Sequence, residues 1–583
     1  MAGPRIWIRR ALAVGALGMA IGVLDAAPSA EPADAPSSIA RGIEALHYFE
    51  YEDANAAFRE AHRLDASLVM ACWGEAMTYH QTLWRNEDIA QGRAALARCG
   101  PTAAARAAKA RSVKERMYLD AADALLGDGD ADVRRQRYAA AMAALDAREP
   151  DDPDVASFYA LALLGTMSRS LIGSESHEGH NRALAGSDTQ RQVNEILQKV
   201  LRSHPAHPGA LHYLLHDNDD PEHAAAALPA ARALAKLAPA SSHALHMPAH
   251  IFLQLGAWQN AAASDTAAFA ASEAWVRQNN LPPAMRNYHA LAWKQYELLQ
   301  LGRYREARAA LDELEPIVRS DPKQLTLLSD LSTMRARYVV ETASWPTMAR
   351  QDTFGNADEL FAIALSAART HNAPVAERAR DALAGRARDA REGDLRPAIA
   401  IMEREVAAAI AFEAGRRDEA LAILRAAAED EARLPAPLGL PAPIKPAPEL
   451  LGEMLVDAGR AAEADPFFEA ALRRNPKRTL SLAGRARAAA AAGDRARARA
   501  YYDELLVNLA SADPGLPLLL EARGTTVSPV ASAPRELVQS PGGLIALTVG
   551  AALIAGAFLV LRGRAKPSVQ KKSAPKRARS KPR

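Results

Sequence analysis

Nine of the fifteen histidines fall between His204 and His289, and their spacing is the chemically unusual feature of this chain. His212 and His216 are four apart in Leu211-His212-Tyr213-Leu214-Leu215-His216. His246 and His250 are four apart in His243-Ala244-Leu245-His246-Met247-Pro248-Ala249-His250. On a helix, residues four apart share a face with Cβ atoms ~5–6 Å apart, which lets two imidazoles reach one metal ion. Each pair is a candidate chelate for zinc, copper or nickel, the divalent transition metals that imidazole donors suit. A plainer reading of the same residues is a surface whose histidines hydrogen-bond a peptide, or core side chains with satisfied partners. Asp217, Asp219 and His223 are near enough in sequence to add ligands, although a solvated turn also accounts for them. Asp220 followed by Pro221 reads as an N-cap and first helical residue. His177, Glu178 and His180 sit in a polar stretch where a loop or a metal site would both fit.

Other chemistry leaves no trace in the sequence. There is no HExxH, no Gly-x-Ser-x-Gly elbow, no phosphate-binding Gly-x4-Gly-Lys-Ser/Thr and no CxxC. The residue pattern therefore points to a binding protein before an enzyme. The two cysteines, Cys72 and Cys99, would meet if residues 69–80 and 87–99 form an antiparallel helix pair, giving either a disulfide or two buried thiols.

The elements that must position these residues read as helices throughout. Alanine-rich stretches dominate the 583 residues, aromatics make up only 5%, and almost no run alternates as a strand would. The expected fold class is all-α. A glycine followed five residues later by alanine recurs at Gly256/Ala261, Gly302/Ala307, Gly415/Ala420, Gly459/Ala464 and Gly493/Ala498. Such a pair suits a helix hairpin: glycine ends one helix in a left-handed conformation, and alanine lets the next helix approach closely.

The flanking residues extend the pattern. Trp258 and Tyr304 follow their glycines by two; Gly452, Gly459, Ala464, Phe468, Ala471 and Pro476 form one complete unit; Tyr51, Ala54, Phe58 and Ala61 form another that lacks the glycine. On these residues the chain resembles the tetratricopeptide repeat (TPR) family, as a bacterial-type secreted or membrane-anchored member, from about residue 40 to 510. The resemblance implies an α-solenoid of stacked helix hairpins whose concave groove binds a peptide or partner protein. In the family's register His243, His246 and His250 point into that groove, and His289 holds in the next unit the position of His243. His216 also falls at a groove position, whereas His212 maps to a helix contact. A single site built from His216, His243, His246 and His250, with His212 and His289 in or behind it, is the metal-binding alternative.

The ends carry topology signals. Arg5, Arg9 and Arg10 precede an apolar stretch and small residues, which reads residues 1–30 as a signal peptide or uncleaved anchor. The solenoid is expected over 31–434 with a polar insertion at 168–186. Six prolines break the helical pattern at 435–448 and mark a hinge before further repeats at 449–523. A stalk at 524–541 leads to an uncharged run at 542–561, long enough at 1.5 Å per residue to cross ~30 Å of hydrocarbon. Ten Lys or Arg and no acid follow between Arg562 and Arg583, so the tail at 562–583 is placed in the cytoplasm and the body on the outer side of the membrane. Without its basic ends the body is acidic, which argues against nucleic acid as a ligand.

Overall fold

The computed structural model describes residues 34–167, 187–349, 355–389, 396–435 and 437–524. The expected signal segment, the insertion with His177 and His180, the stalk, the apolar run 542–561 and the basic tail lie outside them. Among the described residues no helix is long and apolar enough to cross a membrane.

Those residues form a succession of helices from Ala35–His47 to Pro517–Ala522, each packed on the next in sequence and at several places on the next but one. The five hairpin glycines all have positive φ: 62° at Gly256, 69° at Gly302, 83° at Gly415, 78° at Gly459 and 84° at Gly493. The alanines five residues on are all buried. One packing device recurs near both ends. A Cβ at Gly42 or Gly74 would lie 2.7 or 2.2 Å from the Phe58 ring, and one at Gly452 or Gly484 would lie 2.7 or 2.1 Å from Phe468. Each ring thus fills space that only two glycines on neighbouring helices leave open, and burying it contributes about 2–3 kcal/mol.

The all-α expectation needs one small correction. His80–Gln81 pairs antiparallel with Asn86–Glu87, in a short β-ribbon between the helices Val69–Thr78 and Ile89–Cys99. Cys72 and Cys99, on those two helices, are joined as a disulfide with Cα atoms 6.1 Å apart.

The proline-rich stretch is packed against the helices. Pro437, Gly439, Leu440, Pro441, Pro443 and Ile444 are buried, and the fold continues through Ala522 as one compact unit. Leu440 packs with Phe252, Leu253, Trp258, Trp293 and Tyr296. The carbonyls of Pro437 and Pro441 accept hydrogen bonds from Gln254 Nε2 (3.0 Å) and Arg337 (2.8 Å). Proline frees its neighbours' carbonyls from helical pairing, so this extended strap can answer donors from the helices Ser242–Gln254 and Leu325–Thr342. Its C-terminal end is fixed by charge: Lys445 donates to Glu449 at 3.0 Å, and fully buried Arg478 binds both Glu449 and Glu341.

Candidate metal centre

Three helices carry the histidines, and each start is set locally. In Pro208–Asp217, His207 caps the N-terminus by accepting the Ala210 N–H at 3.1 Å, and proline opens the first turn. In Ser242–Gln254 the Ser241 hydroxyl accepts from Ala244 N, and in Tyr288–Gln300 Asn287 accepts from Ala290 N. The Asn287 amide also donates to Ser242 Oγ at 3.0 Å, tying the starts of the last two helices together.

The six histidines divide into two trios, not the single four-histidine site the sequence suggests. In the first, His212 Nε2 lies 3.0 Å from His243 Nε2 and 3.1 Å from His216 Nε2. In the second, His246 Nε2 lies 3.0 Å from His250 Nε2 and 3.2 Å from His289 Nε2. The ligand atoms of each trio lie within 4.8 Å of one another. His243 and His246 are three apart on one helix, yet they turn to different partners, which is why one site became two. His212, assigned to a helix contact from the repeat register, is the central member of the first trio.

The tautomers explain what the trios are for. His246 Nδ1 lies 2.5 Å from Asp265 Oδ1, and His250 Nδ1 lies 2.7 Å from Asp219 Oδ2. A carboxylate only accepts, so both Nδ1 atoms carry the proton and both Nε2 atoms of the neutral rings present lone pairs. Those lone pairs face each other at 3.0 Å. His212 repeats the arrangement, its Nδ1 donating to the His47 carbonyl at 2.6 Å while Nε2 faces the other two rings. Acceptors converging at this distance repel unless a cation lies among them. With metal–nitrogen bonds of about 2.0–2.1 Å, nitrogens held between a right angle and a tetrahedral angle sit about 2.9–3.4 Å apart, a range that includes the two separations around His212 and the two around His246.

Groups behind the ligands hold them in place. Asp219 Oδ1 also accepts from Gln254 Nε2 at 3.0 Å, and the same amide donates to the Pro437 carbonyl, so the strap is linked to His250. Behind Asp265 stands Glu297, whose carboxyl is held well above its ordinary range by burial and by the charge of Asp265. Phe49 stands against the first trio, with centroids 4.4 Å from His212, 5.6 Å from His243 and 5.7 Å from His216. Trp293 stands against the second, 4.2 Å from His250 and 4.9 Å from His246. His212, His246 and His250 are buried, while His216, His243 and His289 are half-buried.

The remaining candidates are arranged differently. His223 Nδ1 pairs with Asp220 at 2.9 Å. The helix after Pro221 begins only at Ala224, because Asp220 Oδ1 accepts the N–H groups of Glu222 and His223 and forms a turn there instead of an N-cap. Asp217 is buried, and burial raises its carboxyl to about 8. His47, Asp154 and His207 form a third cluster that sequence spacing does not suggest. Its hydrogen bonds account for every ring nitrogen. His207 Nδ1 accepts from Ala210 N, so Nε2 donates to Asp154 at 3.1 Å; His47 Nε2 donates to Asp154 at 2.9 Å, and its Nδ1 accepts from the Tyr213 hydroxyl at 2.9 Å. Burial works to raise Asp154, but the two imidazole hydrogen bonds outweigh it and hold the carboxyl well below its usual range. This cluster anchors the residue whose carbonyl orients His212.

No family model matches the chain, and no curated protein matches it. Among solved structures it is similar to the human IFIT1 dimer with PPP-AAAA, at 14% identity over 82% of this chain and 94% of that one, with a TM-score of 0.33. It is similar also to Cut9 of the APC/C hetero-tetramer Cut9-Hcn1 (12% identity, 83% and 95% covered, TM-score 0.27). Yeast Tom70 gives 14% identity, 84% and 95% covered, and a TM-score of 0.26. All three are TPR-type helical repeat proteins, and the likeness concerns the fold alone.

Proposed function

We propose that this protein is a helical-repeat scaffold for a pair of transition-metal ions, one held by His212, His216 and His243 and the other by His246, His250 and His289. The observation that carries the reading is the pair of Nε2 lone pairs on His246 and His250, 3.0 Å apart, with both Nδ1 protons committed to buried carboxylates. In each of the two places three histidines bring a ring nitrogen within 4.8 Å of the others, a spacing that lets one metal ion reach all three. Imidazole-only donors favour copper, zinc or nickel over the oxygen-preferring magnesium and calcium. Among the described residues each ion would have three histidine ligands.

Capture of a peptide or partner protein by the concave face is the second reading, favoured by the repeat architecture. We place the body on the outer side of a membrane, anchored by the run 542–561 with the basic tail in the cytoplasm. The Cys72–Cys99 bridge supports this placement, since disulfides persist in oxidising compartments.

Elemental analysis of the full chain, purified in detergent without a histidine tag or chelator, tests the metal reading. Two equivalents of transition metal are expected, either as isolated or after reconstitution and desalting. Retention of none after loading with copper, zinc or nickel refutes it.

A further inference from the structure

Away from the histidine trios, the Cys72–Cys99 bridge has a third group beside it. His62 Nδ1 lies 3.8 Å from Cys72 Sγ and 3.9 Å from Cys99 Sγ. Each residue comes from a different helix: His62 from the last turn of Tyr51–Leu64, Cys72 from Val69–Thr78 and Cys99 from the end of Ile89–Cys99. Phe58 sets their register. Its ring fills the space left by Gly74, two residues after Cys72, and His62 follows Phe58 by four, on the same face of its helix. The face that locks the first of these helices onto the second therefore also carries the imidazole to the sulfurs.

What such a set does depends on the oxidation state of the sulfurs. The three donor atoms lie within 4.8 Å of one another, and reduction of the bridge turns them into two thiols and an imidazole. Two thiolates and an imidazole suit tetrahedral zinc, with bonds of about 2.3 Å to sulfur and about 2.0–2.1 Å to nitrogen. Along an edge of that tetrahedron sulfur and nitrogen stand about 3.6 Å apart, close to the distances His62 already keeps. Two sulfurs on the same ion stand about 3.8 Å apart. The Cα atoms, 6.1 Å apart, leave room for this by rotation of the two side chains. Charge selects the ion. Both cysteines are fully buried, and a pair of thiolates cancels the charge of a divalent ion, whereas Cu(I) would leave a net negative charge out of water. His62 is half-buried, so it is the ligand that solvent reaches.

We propose that the reduced Cys72 and Cys99, together with His62, form a zinc site, and that the disulfide is the form in which this site is closed to metal. A dithiol reductant gives the bridge two electrons and two protons and leaves as its own disulfide. Zinc then bonds to both sulfurs and to His62 Nδ1. The two thiol protons go to solvent, His62 keeps its proton on Nε2, and no electron moves in this step. The same sulfurs serve the bond or the ion, so bridge and metal exclude one another.

The experiment compares the full chain in detergent with its bridge intact and after reduction by a phosphine, each titrated with Co(II) as a probe for zinc. The reduced chain takes up one equivalent more than the bridged chain. That ion shows a near-ultraviolet thiolate-to-metal band, which zinc abolishes by displacing the cobalt. Zinc also slows alkylation of both cysteines by iodoacetamide at least tenfold. His62→Ala, which leaves the bridge intact, weakens the extra ion at least tenfold after reduction. Equal uptake by the two forms, or an extra ion without the thiolate band, overturns the site. A band of unchanged affinity in His62→Ala overturns the three-ligand assignment. The readout is the difference between reduced and bridged chain, so it stands or falls apart from the two histidine trios.

Discussion

Replacing Asp219 by asparagine should weaken one ion and spare the other. Asp219 uses both oxygens as acceptors, Oδ2 for His250 Nδ1–H at 2.7 Å and Oδ1 for Gln254 Nε2–H at 3.0 Å. Asparagine keeps the shape but has one oxygen and one NH2, so one of those two donors is left facing another donor. The residue is 4% exposed, and water cannot repair the mismatch. A hydrogen bond to a charged group contributes about 1.5–3 kcal/mol, which corresponds to roughly a ten- to hundredfold loss in metal affinity, the range typical of residues that hold a metal ligand from behind. The first trio is oriented through the His47 carbonyl, so its ion keeps its affinity. A competition titration against a chromogenic chelator resolves the two ions as two phases, and only one should move. Equal weakening of both, or a change below threefold in each, refutes the assignment of Asp219 to the second trio alone.

The strap, the disulfide and the buried acids give further tests. Gly439 has φ of 95°, and a Cβ there would lie 2.3 Å from the Trp293 ring, so Gly439→Ala should cost about 2–4 kcal/mol in chemical denaturation and lower affinity at the second trio. Cys72→Ser opens a loop with a sequence separation of 27, a loss of about 3.5 kcal/mol in the chain-entropy treatment, while metal stoichiometry stays at two. Burial raises the Glu431 carboxyl to about 7. The folded state then binds a proton that the unfolded state has released, so this contribution is full below about pH 4.5 and is lost as the pH rises through 7. Glu431→Gln should remove that slope, changing the stability difference between pH 4.5 and 8 by up to ~3 kcal/mol in urea titrations.

Sequence and structure agree where a local rule decides. The glycines were legible because a left-handed helix end admits little else, and Gly256 and its four counterparts all adopt it. The histidines were legible as pairs because a four-residue spacing is a statement about one helix. Their division into two trios was not, since it depends on how three helices rotate against one another and on His243 and His246 turning to different neighbours. Asp265 left a signal that spacing alone can find. It lies on the face of Trp258–Gln278 that buries Ala261, Ala262, Ala268 and Phe269, and an acid on an otherwise apolar face must answer a partner. Glu297 sits likewise among buried positions of its helix. For the strap, proline shows only where a helix cannot continue. Whether such a segment swings free or lies down on its neighbours is set by partners far away in sequence, here Gln254, Trp293 and Arg337.

The most direct measurement is anomalous X-ray diffraction from crystals grown with copper and recorded on both sides of the copper absorption edge. Two separate peaks are expected, one against the Nε2 atoms of His212, His216 and His243 and one against those of His246, His250 and His289. A single peak shared among histidines of both trios, or none at either, would contradict the two-ion centre.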